Sequence, residues 1–237
     1  PHTTFKIGGP AAFWCTPRDA EQLRRTLQLC RKNGVRVYLL GNGSNTLFDD
    51  AGFDGAVIDM RGLSGMENSG LDTDAVRITA GAGQTLESVT FLDSDLQLRT
   101  LPAVDLAMGY RTSIFEQNPD WCILSATVVL HRGDGAAVLA RMQELLGKRR
   151  EKQPLEWPSA GSTFKRPQGA FAGKLIEDCG LRGFTVGGAQ ISEKHCGFVI
   201  NRGGATCADV VALTEQVRQI VEARTGFVLE REIRVVK

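Results

Sequence analysis

Between Ser159 and Pro167, small residues and hydroxyls (Ser159-Ala160-Gly161-Ser162-Thr163-Phe164) are followed at once by Lys165 and Arg166. A hydroxyl can deliver a proton where neighbouring groups stabilise its conjugate base, and two cations beside flexible backbone can hold a phosphate or a carboxylate. A plain exposed turn is the alternative. Arg111, in Gly109-Tyr110-Arg111-Thr112-Ser113, has the fork that clamps a carboxylate, with a surface ion pair as its ordinary alternative. Near the end, Leu229-Glu230-Arg231-Glu232-Ile233-Arg234 alternates as a strand. That puts Glu230, Glu232 and Arg234 on one face and Leu229, Arg231 and Ile233 on the other. His195 beside Cys196 has the residue types of a nucleophilic dyad, but adjacent strand side chains point to opposite faces and no orienting acid is evident. A phosphate contact by His195, after Glu193-Lys194, fits better.

A second kind of chemistry belongs to backbone. The apolar run Val35 to Leu40 is closed by Gly41-Asn42-Gly43-Ser44-Asn45, where bulky side chains are absent and successive N–H groups can turn inward around an anion such as a diphosphate. The same residues make an ordinary tight turn. The pattern is neither GxGxxG nor GxxxxGK[ST], so neither nucleotide-binding fingerprint of that kind applies.

Composition narrows the partners. The chain has 237 residues, 42% hydrophobic and 23% charged, enough for one large domain or two small ones. Lys and Arg total 28 against 27 Asp and Glu, so no net charge points to nucleic acid or an acidic membrane, and the cluster Lys148 to Lys152 reads as a solvated face. Six cysteines without a CxxC pair disfavour zinc, an iron–sulfur cluster and a disulfide scaffold, and no metal is expected. The longest largely apolar run, Trp121 to Leu130, is too short for a bilayer, and no signal peptide is recognised, so a cytoplasmic location is expected.

The elements that position these groups follow from periodicity. Thr16-Pro17-Arg18-Asp19 reads as an N-cap with proline at the first helical position, and Ala20, Leu23, Leu27 and Cys30 share one helical face until Asn33-Gly34. A strand from Val35, the glycine loop and a strand over Ala56 to Met60 complete a β-α-β unit. The middle third reads as strands joined by turns: Ala75 to Ala80, ending in Gly81-Ala82-Gly83, then Ser88 to Leu92, Leu96 to Leu101, and an apolar central strand from Cys122 to Leu130. The result is a largely antiparallel sheet and an α+β class. After Gly135, Val138, Leu139, Met142, Leu145 and Leu146 form a stripe expected in a core. Ala172 to Cys179 is a short helix ended by Gly180. Thr206 to Asp209 reads as a capping box, introducing a face of Val210, Leu213, Val217, Ile220 and Val221, and Phe227 to Val236 returns as a strand.

Seven segments in order resemble the UDP-N-acetylenolpyruvoylglucosamine reductases: Thr3 to Gly9 (TTFKIGG), Leu40 to Asn45, Ala80 to Gly83, Gly109 to Phe115 (GYRTSIF), Ala160 to Pro167, Ser192 to His195 (SEKH) and Leu229 to Arg234. Each is weak alone, while their order across nearly the whole chain makes coincidence improbable. The resemblance is to the shorter subtype, without a tyrosine-bearing insertion after the Cys122 to Leu130 strand. It implies an FAD-binding fold of the vanillyl-alcohol-oxidase (PCMH) type in two subdomains, with a C-terminal α+β substrate domain. The boundaries expected are 1–62, then 63–134 with 226–237, then 135–225 for substrate.

The implied enzyme is an NADPH-dependent flavoprotein of peptidoglycan precursor synthesis. Hydride passes from FAD to the β-carbon of UDP-N-acetylglucosamine enolpyruvate and a proton reaches the α-carbon, giving UDP-N-acetylmuramate. By the same resemblance Ser162 is the proton donor, and Arg111 and Glu232 stabilise the enolate-like intermediate. Gly41, Asn42, Gly43, Ser44 and Asn45 hold the FAD diphosphate, and Gly81, Ala82 and Gly83 approach the flavin. Tyr110, Lys152, Lys165 and His195 contact substrate, with Lys152 or Lys165 available to assist Ser162. Small molecules are the partners, without nucleic acid or membrane, and a monomer is expected. Another FAD dehydrogenase or oxidase of this fold, or a degenerate nucleotide-binding module without flavin, are the competing readings.

One stretch departs from the pattern. The family places a helix and a long glycine-rich stretch between the strand ending at Gly83 and the one near Ser88, where this chain has only Gln84-Thr85-Leu86-Glu87. Either the segment is deleted or the chain is discontinuous there, and the sequence predicts a break at or next to Leu86-Glu87.

Overall fold

Asp19, rather than Thr16, starts the first helix. Its carboxylate accepts from Gln22 N at 2.7 Å, satisfying one of the donors that a helix start leaves open, so the preceding Pro17 lies outside the helix. The computed structural model describes residues 2–63, 65, 67–70, 75–79, 86–131 and 133–237, without the side chains of 67–70, 75–79 and 131. In chain order, β1 (Ala11–Cys15) leads through α1 (Ala20–Lys32) to β2 (Val37–Leu40), β3 (Thr46–Phe48) and β4 (Phe53–Asp59). Next come β5 (Glu67–Gly70), β6 (Ala75–Thr79), β7 (Leu86–Leu92), β8 (Leu98–Pro102), the short α2 (Ile114–Gln117) and β9 (Cys122–His131). The remainder is α3 (Gly135–Lys152), β10 (Ser159–Ser162), α4 (Ala172–Asp178), β11 (Thr185–Val186), β12 (Ala189–Ile191), β13 (Phe198–Asn201), α5 (Cys207–Thr225) and β14 (Arg234–Val236). This is an α+β chain. The strand expected from Val35 starts at Val37, because the Val35 N–H is taken by Cys30 O at 2.9 Å in the turn that closes α1.

The chain divides into two compact units, one made of 1–14, 40–57 and 140–237, the other of 15–39 and 58–139. These units meet at other places than the domain boundaries expected at 62, 134 and 226. Residues 226–237 belong with 140–225, because β14 lies parallel on β3 (Arg234 opposite Thr46) and the segment before it pairs with 163–165. For the same reason only the end of Phe227 to Val236 is a strand.

In the first unit the sheet order is β10-β13-β12-β11, all antiparallel neighbours. α5 lays Val210, Leu213, Val217 and Val221 into a core with Phe5, Leu47, Ile176, Ile191 and Leu229. Its start carries the expected capping box: Thr206 Oγ1 accepts from Asp209 N at 3.0 Å, and Asp209 Oδ2 accepts from Thr206 N at 3.0 Å. Asp50 takes the next two donors, Cys207 N at 2.7 Å and Ala208 N at 3.0 Å.

In the second unit the order is β5-β6-β9-β7-β8, with β9 central as its apolar sequence predicts. β6 and β7 both pair antiparallel with β9, so they run parallel to each other on its two sides, joined by residues 80–85 alone. Leu86 and Glu87 are consecutive residues of β7, while residues 80–85, next to the expected break, lie outside the described residues. Leu86 faces Val128 and Ser88 faces Thr127, so the extra residue is absorbed as a bulge. Leu23 and Leu27 of α1 share a core with Ile58, Leu92, Leu96 and Cys122.

α3 corrects another expectation. Val138, Leu139, Met142, Leu145 and Leu146 keep the helical spacing, yet all are 48–55% exposed, so the stripe is not core. Periodicity identifies an apolar face but not what covers it.

The six thiols are unbridged. Burial pushes the Cys122 thiol from 9.0 up to about 12. The folded chain therefore keeps a proton that the unfolded chain loses as pH rises above 9.0, and stability falls over that range. A Cys122→Ala variant should lose less melting temperature than the parent as pH is raised above 9.0; equal slopes would refute the assignment.

Candidate functional site

The glycine loop sits where β2 ends and β3 begins. Gly43 O accepts from Thr4 N at 3.2 Å, and Thr4 Oγ1 donates onward to Ser159 O at 2.7 Å, so the loop is held against the first residues of the chain and against β10. Gly43 has φ +62°, and a Cβ on it would stand 3.0 Å from His2 O and from Thr3 Cα. Only glycine fits that approach. Beside it, Thr3 Oγ1 is buried and has no hydrogen-bond partner. Gly41, Asn42 and Ser44 are exposed, while Gly43 is buried. A loop free of side-chain bulk, with an unsatisfied hydroxyl behind it, fits a diphosphate held by backbone N–H groups. Asn45 works differently: its Nδ2 donates to Glu232 O at 3.1 Å, and its own O accepts from Arg234 N at 3.0 Å.

Ser162 ends β10 in a distorted register. Ser159 faces Ile200 and Ser162 faces Phe198, so β10 carries one residue more than β13 across that span, and Gly161 takes φ +77°. Such a bulge re-aims the side chain that follows, and it leaves Ser162 exposed while Thr163 is 2% exposed. Thr163 is bound on every side: its N donates to Gly197 O at 2.8 Å, its O accepts from Glu232 N at 2.8 Å, and its Oγ1 accepts from Val199 N at 2.9 Å. Ser162 and Glu232 are thereby attached to one buried residue. Lys165 N donates to Glu230 O at 2.8 Å, and its ammonium lies 2.5 Å from Glu230 Oε1. The cation expected near Ser162 is thus paired with Glu230. Glu230 is exposed, while Leu229 and Ile233 are buried, as the alternation predicts. Lys152 is the exposed last residue of α3. His195 is exposed, and Cys196 beside it is buried, with burial pushing its thiol up, which argues against a nucleophilic dyad.

Tyr110 and Arg111 lie in the other unit, as the two central residues of a turn closed by Gly109 N to Thr112 O at 3.0 Å. Arg111 has φ +58°, a conformation that costs a non-glycine residue about 1–2 kcal/mol and is kept where the surroundings demand it. Both side chains are exposed, with the guanidinium 5.9 Å from the Tyr110 ring. The turn leads into α2, which is anchored by Phe115 edge-on to Phe91 at 5.2 Å. Gly81, Ala82 and Gly83 lie outside the described residues.

Sequence reading misses Thr3, Thr4, Thr163 and Gly197 as parts of this frame. The first two stand in a recognised segment as Thr3-Thr4, but nothing local says that their hydroxyls meet a loop forty residues on.

Comparison with known proteins finds relatives over the whole chain. The family described as UDP-N-acetylenolpyruvoylglucosamine reductase, C-terminal domain, matches residues 153–236, and an FAD binding domain matches residues 11–93. The UDP-N-acetylenolpyruvoylglucosamine reductase of Clostridium novyi is 38% identical over 274 positions, covering 99% of this chain and 89% of that protein. That of Clostridium beijerinckii is 40% identical over 273 positions, covering 99% and 90%. The crystal structure of the Thermus caldophilus reductase superposes with a TM-score of 0.76 at 28% identity, covering 100% of this chain and 96% of that one. The Clostridium novyi match spans 37 more positions than the 237 residues of this chain, so that relative carries residues without a counterpart here.

Gly43→Ala should destabilise the chain by about 1–2 kcal/mol, from the left-handed backbone alone. Urea denaturation measures it, and an unchanged midpoint would show that the loop is not held as described.

Proposed function

Since the chain belongs to the UDP-N-acetylenolpyruvoylglucosamine reductase family, we propose that it converts UDP-N-acetylglucosamine enolpyruvate to UDP-N-acetylmuramate with FAD and NADPH, in peptidoglycan precursor synthesis. The observation that carries the reading is the attachment of the glycine loop, Ser162 and Glu232 to one hydrogen-bonded frame around Thr163. FAD, when bound, supplies hydride taken from NADPH. The loop from Gly41 to Asn45 holds its diphosphate.

Ser162 holds the proton destined for the substrate α-carbon. A serine hydroxyl is a weak acid, so delivery depends on stabilising the charge it leaves. Arg111 binds the substrate carboxylate, into which negative charge moves as the β-carbon is reduced. A guanidinium there binds the transition state more strongly than the ground state. Glu232 assists as a hydrogen-bonded group, since a bare carboxylate would repel the same charge. Tyr110, Lys152, Lys165 and His195 line up the nucleotide sugar; for Lys165 this means exchanging Glu230 for a phosphate. Gly81 to Gly83 approach the flavin. The protein acts in the cytoplasm as a monomer on small molecules, without nucleic acid or membrane; a net charge of +1 supports this, and no described helix is long and apolar enough to cross a bilayer.

We further propose that the residues lacking a counterpart belong between Gly83 and Ser88. Parallel strands need a crossover of about a dozen residues or more, and β6 and β7 are joined by residues 80–85. The flavin-facing wall is then thinned, and FAD is held mainly at its diphosphate.

NADPH oxidation by the FAD-loaded chain should continue beyond the first reduction of the flavin only when UDP-N-acetylglucosamine enolpyruvate is present. Absence of substrate-dependent oxidation would defeat the assignment. Ser162→Ala should keep flavin reduction by NADPH while turnover falls about 100-fold; loss of both half-reactions would remove Ser162 from the role of dedicated proton donor. On repeated ultrafiltration this chain should release FAD more readily than the Clostridium novyi reductase, and equal retention would show that the short crossover costs nothing at the flavin.

A further inference from the structure

Arg111 stands on a loop that has little of its own to hold it. Residues 107–112 are all exposed, and inside the loop Gly109 and Thr112 exchange backbone bonds, at 3.0 Å and a long 3.4 Å. Ala107 at φ +48° and Arg111 at φ +58° both take left-handed backbone without being glycine. Two such residues persist only where the surroundings fix the ends of the segment. One end is the buried Leu106, whose carbonyl accepts from Ile114 N at 2.8 Å across the base of the loop. The other end is α2.

A helix of four residues does not stand by itself. Ser113 makes no side-chain bond at its start, while at its far end Asn118 Nδ2 donates to Ile114 O at 2.9 Å. Packing has to do the rest, and three rings supply it. Phe115 meets Phe91 edge-on at 5.2 Å and Trp121 edge-on at 6.1 Å, and Trp121 stacks on Phe91 at 4.6 Å with 21° between the planes. Phe91 is a buried residue of β7 and belongs to the sheet. Trp121 is half-buried and is held at both ends: its backbone N–H donates to Asn118 O at 3.0 Å, and its indole N–H to Ser94 Oγ, in the turn from β7 to β8, at 3.2 Å. It therefore ties the sheet to the end of α2.

We propose that Trp121 is a positioning residue for Arg111: packed against Phe91 and Phe115 it fixes α2 and, through the bond from Ile114 to Leu106, the loop from which the guanidinium meets the substrate carboxylate. This rests on the reductase reading above. Charge enters that carboxylate while the β-carbon is reduced, so a displaced fork costs more in the transition state than in the ground state. Reduction of the flavin by NADPH involves no such carboxylate and does not depend on the fork.

The half-reactions separate this role from a general loss of packing. In the FAD-loaded chain, Trp121→Leu should lower kcat about tenfold, change KM by about twofold or less, and leave flavin reduction by NADPH at the parent rate. Trp121→Phe, which keeps a ring to stack, should recover most of the loss. In an Arg111→Ala background, Trp121→Leu should lower kcat no further, because both changes act through one group. Parallel loss of both half-reactions, or losses that simply add to that of Arg111→Ala, overturns the proposal. A second readout needs no substrate: trypsin should cut the folded Trp121→Leu chain after Arg111 about fivefold faster than the parent, and equal rates overturn the link from ring to loop. Should Trp121→Leu not fold, Ser94→Ala removes only the acceptor of the indole and should change kcat and cleavage in the same directions by less; no change in either overturns the proposal. If the parent does not turn over the enolpyruvyl substrate, the reductase reading itself fails, and the cleavage rates still decide whether Trp121 fixes the loop.

Discussion

The backbone of Thr163 holds the site together. Its N–H is bound to Gly197, its carbonyl to Glu232 and its hydroxyl to the Val199 N–H, and the residue is buried. Buried hydrogen bonds of this kind are costly to leave unmade, so the three segments that meet there move together or not at all. Through Glu232 the frame continues to Asn45, and from Asn45 to the glycine loop. Through Gly197 it continues to His195. Groups far apart in sequence are thereby set at fixed spacing.

Much of this is legible in the sequence where the cause is local. The capping box at Thr206 contains both of its partners within four residues, and it forms as the sequence predicts. The central place of β9 agrees with its largely apolar sequence from Cys122 to Leu130. The alternation near Glu232 is equally local, with Leu229 and Ile233 buried and Glu230 and Arg234 exposed. Legibility fails where a partner is distant. The start of α1 is ambiguous because Thr16-Pro17 and Asp19 are both good starts, and only the bond to Gln22 decides between them. The grouping of residues 226–237 with 140–225 escapes the sequence because β14 pairs with β3, far away in the chain. The stripe on α3 has a core helix's spacing without its burial.

The site itself divides in the same way. Residue types and order point to Ser162, Glu232 and the glycine loop, but the reason Ser162 is exposed beside a buried Thr163 is a bulge that depends on the register with β13. Arg111 is marked by its place in GYRTSIF, whereas its left-handed backbone is a property of the turn that only the structure displays. Lys165 reads in sequence as a cation near a hydroxyl, and it meets Glu230 because the two segments pair main chain to main chain.

Asp50 occupies a place that a bound anion could otherwise take. A long helix with open N–H groups at its start attracts anions, and α5 is the longest helix among the described residues. Asp50 supplies a carboxylate there from the protein's own chain, only a few residues after the glycine loop. A nucleotide arriving at this unit therefore finds the helix terminus already neutralised by an internal counter-anion. The start of α5 is thereby removed from that competition.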